Sequence, residues 1–169
     1  TPVPVLEPGR GSTRTGRLWT YVRDERPAGS EQPAAVWFAW SPDRKGIHPQ
    51  RHLRDFRGTL HADGYAGYGK LFEQELVRES ACWAHARRKL YDVHAAQPGT
   101  LTATALAFIA DIYAVEDRVR GKPPDVRRRE RQTHAAPLLT QLRTWLDGIL
   151  LQVPRKSALA EAVRYALSR

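Results

Sequence analysis

Residues 58–83 read GTLHADGYAGYGKLFEQELVRESACW, and the class of the fold turns on them. GTLHAD is a short apolar run that ends on an acid and a glycine, the mark of a strand entering a turn. YGKLFEQEL takes up a helical spacing and VRESACW returns to a strand. Next, AHARRKLYDVHAA predicts a helix that buries Ala86, Leu90 and Val93. Just upstream, HPQRHLRDF suits a short helix with Leu53 and Phe56 turned inward.

The segment before it is sheet. GRLWTYVRD sets Leu18, Thr20 and Val22 against Trp19, Tyr21 and Arg23, and AVWFAWSPD sets Val36, Phe38 and Trp40 against Trp37 and Ala39. TPVPVLE is extended because Pro2 and Pro4 exclude helix and restrict their neighbours. The connectors PGRGSTRTG and RPAGSEQP are rich in turn residues. Three antiparallel strands followed by αβαβα make an α/β order, which predicts a mixed sheet with helices on its faces.

The last third is helical. Leu101, Ala105, Phe108, Ile112, Val115 and Val119 recur at spacings of four and three, and Leu138, Leu142, Trp145 and Ile149 repeat the pattern. Between them RGKPPDVRRRERQ carries a proline break and a basic helix start. After VPRKS a third helix buries Leu159, Val163 and Leu167, with Ser157 as its N-cap. The composition shifts near residues 97–100, so the expected domains are 1–97 and 98–169.

At 169 residues the chain has room for one domain with a core, or one with a substantial insertion. Its 27 Lys+Arg against 18 Asp+Glu leave a net charge of +9, which favours a polyanionic partner, nucleic acid first and an anionic membrane surface second. No apolar run approaches the roughly 20 residues needed to cross a bilayer, so no membrane is expected and the location is cytoplasmic. A single cysteine, Cys82, excludes an internal disulfide framework and fits a reducing compartment. The chain holds no methionine and opens on a strand, which suggests an excised fragment.

Asp63 stands where open α/β sheets gather ligands, at the C-terminal edge of a strand. From pattern alone the favoured reading is a turn aspartate bonding its own backbone before Gly64. Cys82 and His85 have C-x-x-H spacing, but no second ligand pair completes a zinc set. From pattern, Cys82 is a buried small hydrophobe and His85 a helix-start donor. The glycine loop of residues 9–17 lacks the Lys-Ser or Lys-Thr and the helix that a phosphate loop requires. Its Arg10, Arg14 and Arg17, with Arg87, Arg88, Lys89, Arg127, Arg128, Arg129 and Arg131, are candidates for contact with a nucleic-acid backbone.

Taken in order, TPVPVLEPGRGSTRTGRLWTYVRDERP, SPDRKGIHPQRHLRDFRGTLHADGYAGY and ACWAHARRKLYD closely resemble the transposases of the insertion-sequence 66 family. GKPPDVRRRERQ and KSALAEAVRYALSR also look like that family. The resemblance implies a ribonuclease-H-like catalytic core over residues 1–97 and an all-helical insertion over 98–169. It implies three acids, two Asp and one Glu, holding two Mg²⁺ or Mn²⁺ ions about 4 Å apart. Clustered carboxylates suit such hard ions.

On this resemblance Asp63 is the second acid, both catalytic and metal-binding, and the other two lie before Thr1 and after Arg169. Cys82, His85, Tyr65 and Tyr68 would support the site. Arg10, Arg14, Arg87, Arg88, Lys89, Arg127, Arg128 and Arg129 would bind DNA. The implied protein is a DDE transposase that cleaves and joins the terminal repeats and target DNA of an insertion sequence, as a dimer or larger assembly near a prokaryotic nucleoid. This chain alone would be inactive. The rival readings are a non-catalytic DNA-binding remnant and another nuclease of the ribonuclease-H-like fold.

Overall fold

A computed structural model describes residues 1–73 and 77–168. They fall into two compact units, Thr1–Ala81 and Cys82–Arg169.

In the first unit, β1 (Pro2–Val5), β2 (Arg14–Arg23) and β3 (Ala35–Ser41) form an antiparallel sheet in the order β1-β2-β3. The register pairs Trp19 with Ala39 and Tyr21 with Trp37, so the alternation in the sequence becomes two faces. One face carries Trp19, Tyr21 and Trp37, whose rings meet His52 at centroid distances of 6.2, 5.8 and 5.4 Å. The opposite face leaves Val22, Val36, Phe38 and Trp40 about half exposed or more.

Helix α1 (Ile47–His52) follows β3, then comes β4 (Gly58–Ala62). A 3₁₀ turn, Ala66–Tyr68, leads into the short α2 (Gly69–Phe72), and β5 (Val77–Ala81) pairs with β4 in parallel. Leu53, Leu71 and Val77 make a small core that Tyr21, Leu60, Tyr68 and Phe72 close.

Three expectations change here. The five strands form two separate hydrogen-bonded sheets among the described residues, not one mixed sheet. Phe56 is not inward but 36% exposed, because α1 ends at His52 and only Leu53 of the pair reaches the core. The helix read from YGKLFEQEL is α2 as far as Phe72, and its residues 74–76 lie outside the described residues.

The second unit is helical: α3 (Trp83–Ala96), α4 (Thr100–Val119), α5 (Pro124–Glu130), α6 (Ala136–Leu150) and α7 (Ala158–Leu167). Ala86 and Leu90 of α3, Ala105, Ile109 and Ile112 of α4, Leu142, Leu146 and Ile149 of α6, and Ala162, Val163 and Ala166 of α7 form one core. Burying each Leu or Ile side chain stabilises by about 1.5–3 kcal/mol. Ser157 caps α7 by accepting from the Ala160 N–H at 3.1 Å, as the sequence predicts.

Helix α3 therefore groups with the helices it packs on, α4 and α7. The compact units part at Ala81/Cys82, upstream of the expected boundary at 97/98. Between α5 and α6 the chain makes a π turn, Arg131–Ala135. Pro137 explains it: a proline inside a helix lacks its N–H and crowds the carbonyl four residues earlier, here Thr133, within the widened turn.

Candidate metal and DNA site

Asp63 follows the last residue of β4, and Gly64 takes φ +77°, a left-handed conformation that glycine adopts without a steric penalty. The exposed Asp63 carboxylate accepts the Tyr65 main-chain N–H at 3.1 Å through Oδ1. The aspartate is thus a turn former in its local geometry, and it also presents its carboxylate at the C-terminal edge of a parallel strand pair.

The loop carrying Asp63 is seated on the turn between β3 and α1. Tyr65 donates its hydroxyl to the Arg44 carbonyl, and the Arg44 guanidinium lies 4.1 Å from the centre of the same ring. Gly46 and Gly67 let the two loops touch: a Cβ on Gly46 would stand 2.7 Å from the Gly67 carbonyl oxygen and 2.9 Å from its Cα. A Cβ on Gly67 would strike the Tyr65 ring.

The supporting turn is itself tightly bonded. Trp19 Nε1 donates to the Ser41 hydroxyl at 2.7 Å, and Ser41 donates to the Asp43 carbonyl at 2.6 Å. The Asp43 carboxylate accepts the Lys45 N–H at 2.9 Å and His48 Nε2 at 2.7 Å. Those contacts, the Lys45 N–H foremost, hold the Asp43 carboxyl below its ordinary range.

Tyr68 completes the surroundings, its ring edge-on to Tyr65 at 5.7 Å and to Trp19 at 6.4 Å. Burial first, and then the charge of Asp63, push its phenol above the usual value, while Arg44 acts in the opposite sense. Asp63 and Arg44 are therefore both within electrostatic reach of one hydroxyl. Behind them Tyr21 bonds His52 Nδ1 at 3.0 Å, and burial with the charges of His48 and Arg51 lowers the His52 value.

The structure brings Asp63, Tyr65 and Tyr68 together. Cys82 and His85 belong to the helical unit, at the start of α3. Cys82 is exposed, which corrects the expectation of a buried hydrophobe: as N-cap of α3 it sits outside the strand that was to bury it. His85 is exposed, and its main-chain N–H donates to the Cys82 carbonyl at 3.0 Å.

Arg87, Arg88 and Lys89 stand exposed on α3, with Arg87 5.7 Å from the Tyr91 ring centre and Lys89 4.9 Å from that of Tyr165. Arg128 and Arg129 are exposed on α5, whereas Arg127 is half-buried. Arg131 is engaged internally, gripping Glu116 with Nε and Nη2 at 2.7 and 2.6 Å. Arg10 pairs with Glu7 at 3.0 Å and Arg14 approaches the same carboxylate at 3.9 Å, so part of that loop's charge is offset locally.

Among the described residues, no three His, Cys, Asp or Glu side chains gather closely enough to hold a metal ion. Asp63 offers one hard oxygen donor of the kind Mg²⁺ takes, and the donors gathered around it do not complete a two-ion set. Sequence reasoning missed Arg44, Asp43 and the two contact glycines. The local signal was SPDRKG, a turn whose acid precedes two cations.

The profile of the family described as Transposase IS66 family matches residues 1–169. The chain belongs to the IS66 transposase family. Three proteins of Sinorhizobium fredii are similar to it and carry only the description uncharacterized protein. The protein y4qI is 35% identical over 100% of this chain and 33% of its own length. The protein y4jD is 33% identical over 99% and 34%, and y4hP is 30% identical over 100% and 33%. The IS66-family chain thus spans about a third of the length of the curated relatives it matches. No solved structure matches it. Among the described residues, no helix is long and apolar enough to cross a membrane.

Proposed function

We propose that this chain is the central part of a DDE transposase that cleaves DNA and transfers strands for an insertion sequence, with Asp63 as one of three acids of a ribonuclease-H-like site. The observation that carries the proposal is the Asp63 carboxylate, exposed at the end of β4 in a chain whose whole length matches a transposase family. A three-stranded antiparallel meander followed by a parallel pair supports the fold assignment. The other two acids belong to parts of the protein outside this chain.

When bound, two divalent ions would stabilise the attacking and leaving oxygens of an in-line displacement at phosphorus. The residues of this chain would do the rest of the local work. The Tyr65 N–H fixes the carboxylate rotamer, and Tyr68 walls one side of the loop. The family resemblance assigns Cys82 and His85 supporting roles. Arg87, Arg88 and Lys89, with Arg128 and Arg129, would meet DNA phosphates, where each neutralised phosphate releases counterions and makes binding salt-dependent. The working form would be a dimer or larger, since two element ends must be held at once.

A transposition assay on the whole protein in cells tests the role of Asp63. Asp63→Ala should abolish transposition while binding of the terminal repeats survives. A variant that still transposes would leave Asp63 as a turn residue only.

A further inference from the structure

We propose that Arg44 is a phosphate-binding residue of the Asp63 site, its guanidinium presented on the paired loops to take a non-bridging oxygen of the DNA backbone. The proposal rests on the reading of Asp63 as a residue of the transposase site and adds a second residue to it.

Three features of one residue, Tyr65, join Arg44 to Asp63. The Tyr65 main-chain N–H bonds the Asp63 carboxylate at 3.1 Å, its hydroxyl bonds the Arg44 carbonyl, and its ring lies 4.1 Å beneath the Arg44 guanidinium. The backbone contact at Gly46 and Gly67 fixes the two loops against each other, so the relation does not depend on side chains alone. Arg44 is exposed.

Several cations of the same unit are taken up by carboxylates. Lys45 pairs with Asp43 at 3.5 Å, Arg10 with Glu7 at 3.0 Å, and Arg54 with Asp55 at 3.0 Å. Arg44 has no such carboxylate partner among the described residues and rests on an aromatic face instead. Stacking uses the face of the guanidinium and leaves its N–H edge to fork onto a planar or tetrahedral anion. A cation stacked on tyrosine is also partly ordered before it binds, so less side-chain freedom is lost on contact.

The excess of 27 Lys+Arg over 18 Asp+Glu in the chain favours a phosphodiester over a carboxylate as the anion it takes. A cation beside an acid that takes metal ions would hold the DNA backbone in register, without being a metal ligand. That makes Arg44 a residue for binding and positioning, and its effect should be visible before any metal is added.

The test uses the full-length protein and a labelled mixed-sequence duplex in EDTA, with affinity measured across a series of KCl concentrations. Arg44→Gln should weaken binding and lower the slope of log affinity against log salt by about 0.9, the loss of one phosphate contact. Arg44→Lys keeps the charge and should keep the slope. A slope unchanged in Arg44→Gln, or lost equally in Arg44→Lys, overturns the proposal, even if affinity falls, because a purely structural role would not alter counterion release. Asp63→Asn, assayed for Mg²⁺-dependent nicking in parallel, separates the two ideas. If Asp63→Asn still nicks, the reading of Asp63 fails; if it is inactive and Arg44→Gln binds as wild type does, only the Arg44 assignment fails.

Discussion

Replacing Gly46 with alanine adds one methyl group where the β3–α1 turn meets the Asp63 loop. Gly46 sits at φ −62° and ψ −20°, a conformation alanine adopts freely, so the substitution carries no backbone strain of its own. The added Cβ would lie 2.7 Å from the Gly67 carbonyl oxygen and 2.9 Å from the Gly67 Cα, both main-chain atoms that cannot swing aside. Relief requires the loops to part by several tenths of an ångström. Overpacking of this kind costs about 1–3 kcal/mol. Fewer unfolded conformations return about 0.4–1 kcal/mol, leaving a net loss of about 1.3 kcal/mol at the middle of the two ranges.

Gly69 is the matched control. It begins α2 at φ −48° and ψ −47°, and a Cβ there meets nothing within 4 Å. Gly69→Ala should therefore stabilise by about 0.5 kcal/mol. Hydrogen exchange read by mass spectrometry resolves the two loops from the helical unit. Peptides covering residues 41–68 should lose protection in Gly46→Ala by roughly tenfold per 1.4 kcal/mol, with the α4 and α6 peptides unchanged. Equal or greater protection in Gly46→Ala than in wild type would refute the close approach of the loops, and with it the coupling of Arg44 to Asp63.

Further predictions concern the helical unit. Leu142→Ala removes a fully buried side chain from the α4–α6–α7 core, and should cost about 2–5 kcal/mol in urea unfolding of that unit. The Arg131 hydrogen bond, foremost, holds the Glu116 carboxyl below its ordinary value. A carboxyl depressed in the folded state contributes stability above its unfolded value, about 4.3, that is lost as the pH falls through the folded one. With Glu116 and Arg131 side chains 40% and 45% exposed, the contribution is only about 0.5 kcal/mol. Stability of Glu116→Gln measured against wild type at pH 7 and again near pH 3 should show that gap closing on acidification.

Strands β2 and β3 were legible because aromatic and branched residues alternate through them, and a period of two is the spacing of a pleated strand and not of a helix. The helices α4, α6 and α7 were legible from their apolar spacing, but the seam was read slightly off its axis. Phe108 and Trp145 flank the core while Ile109 and Leu146 fill it, since a period of 3.6 lets two adjacent rows look alike. The π turn was not legible, because its cause, Pro137, acts through a carbonyl four residues away.

The candidate site divides in the same way. Asp63 stood out because an acid ending an apolar strand is a local pattern, and the family resemblance then gave it a role. Arg44 did not stand out, because its relation to Asp63 runs through Tyr65 and a contact between two glycines distant in sequence. The division of the strands into two sheets was equally hidden, since alternation shows that strands exist and not which edges pair.

The central claim is that this chain supplies one acid of a site that the rest of the protein completes. Nicking of a terminal-repeat duplex in Mg²⁺ tests it most directly, with the whole protein, its Asp63→Asn variant and the 169-residue chain side by side. The account predicts that only the unaltered whole protein nicks. Nicking by the whole Asp63→Asn protein, or Asp63-dependent nicking by the isolated chain, would contradict it.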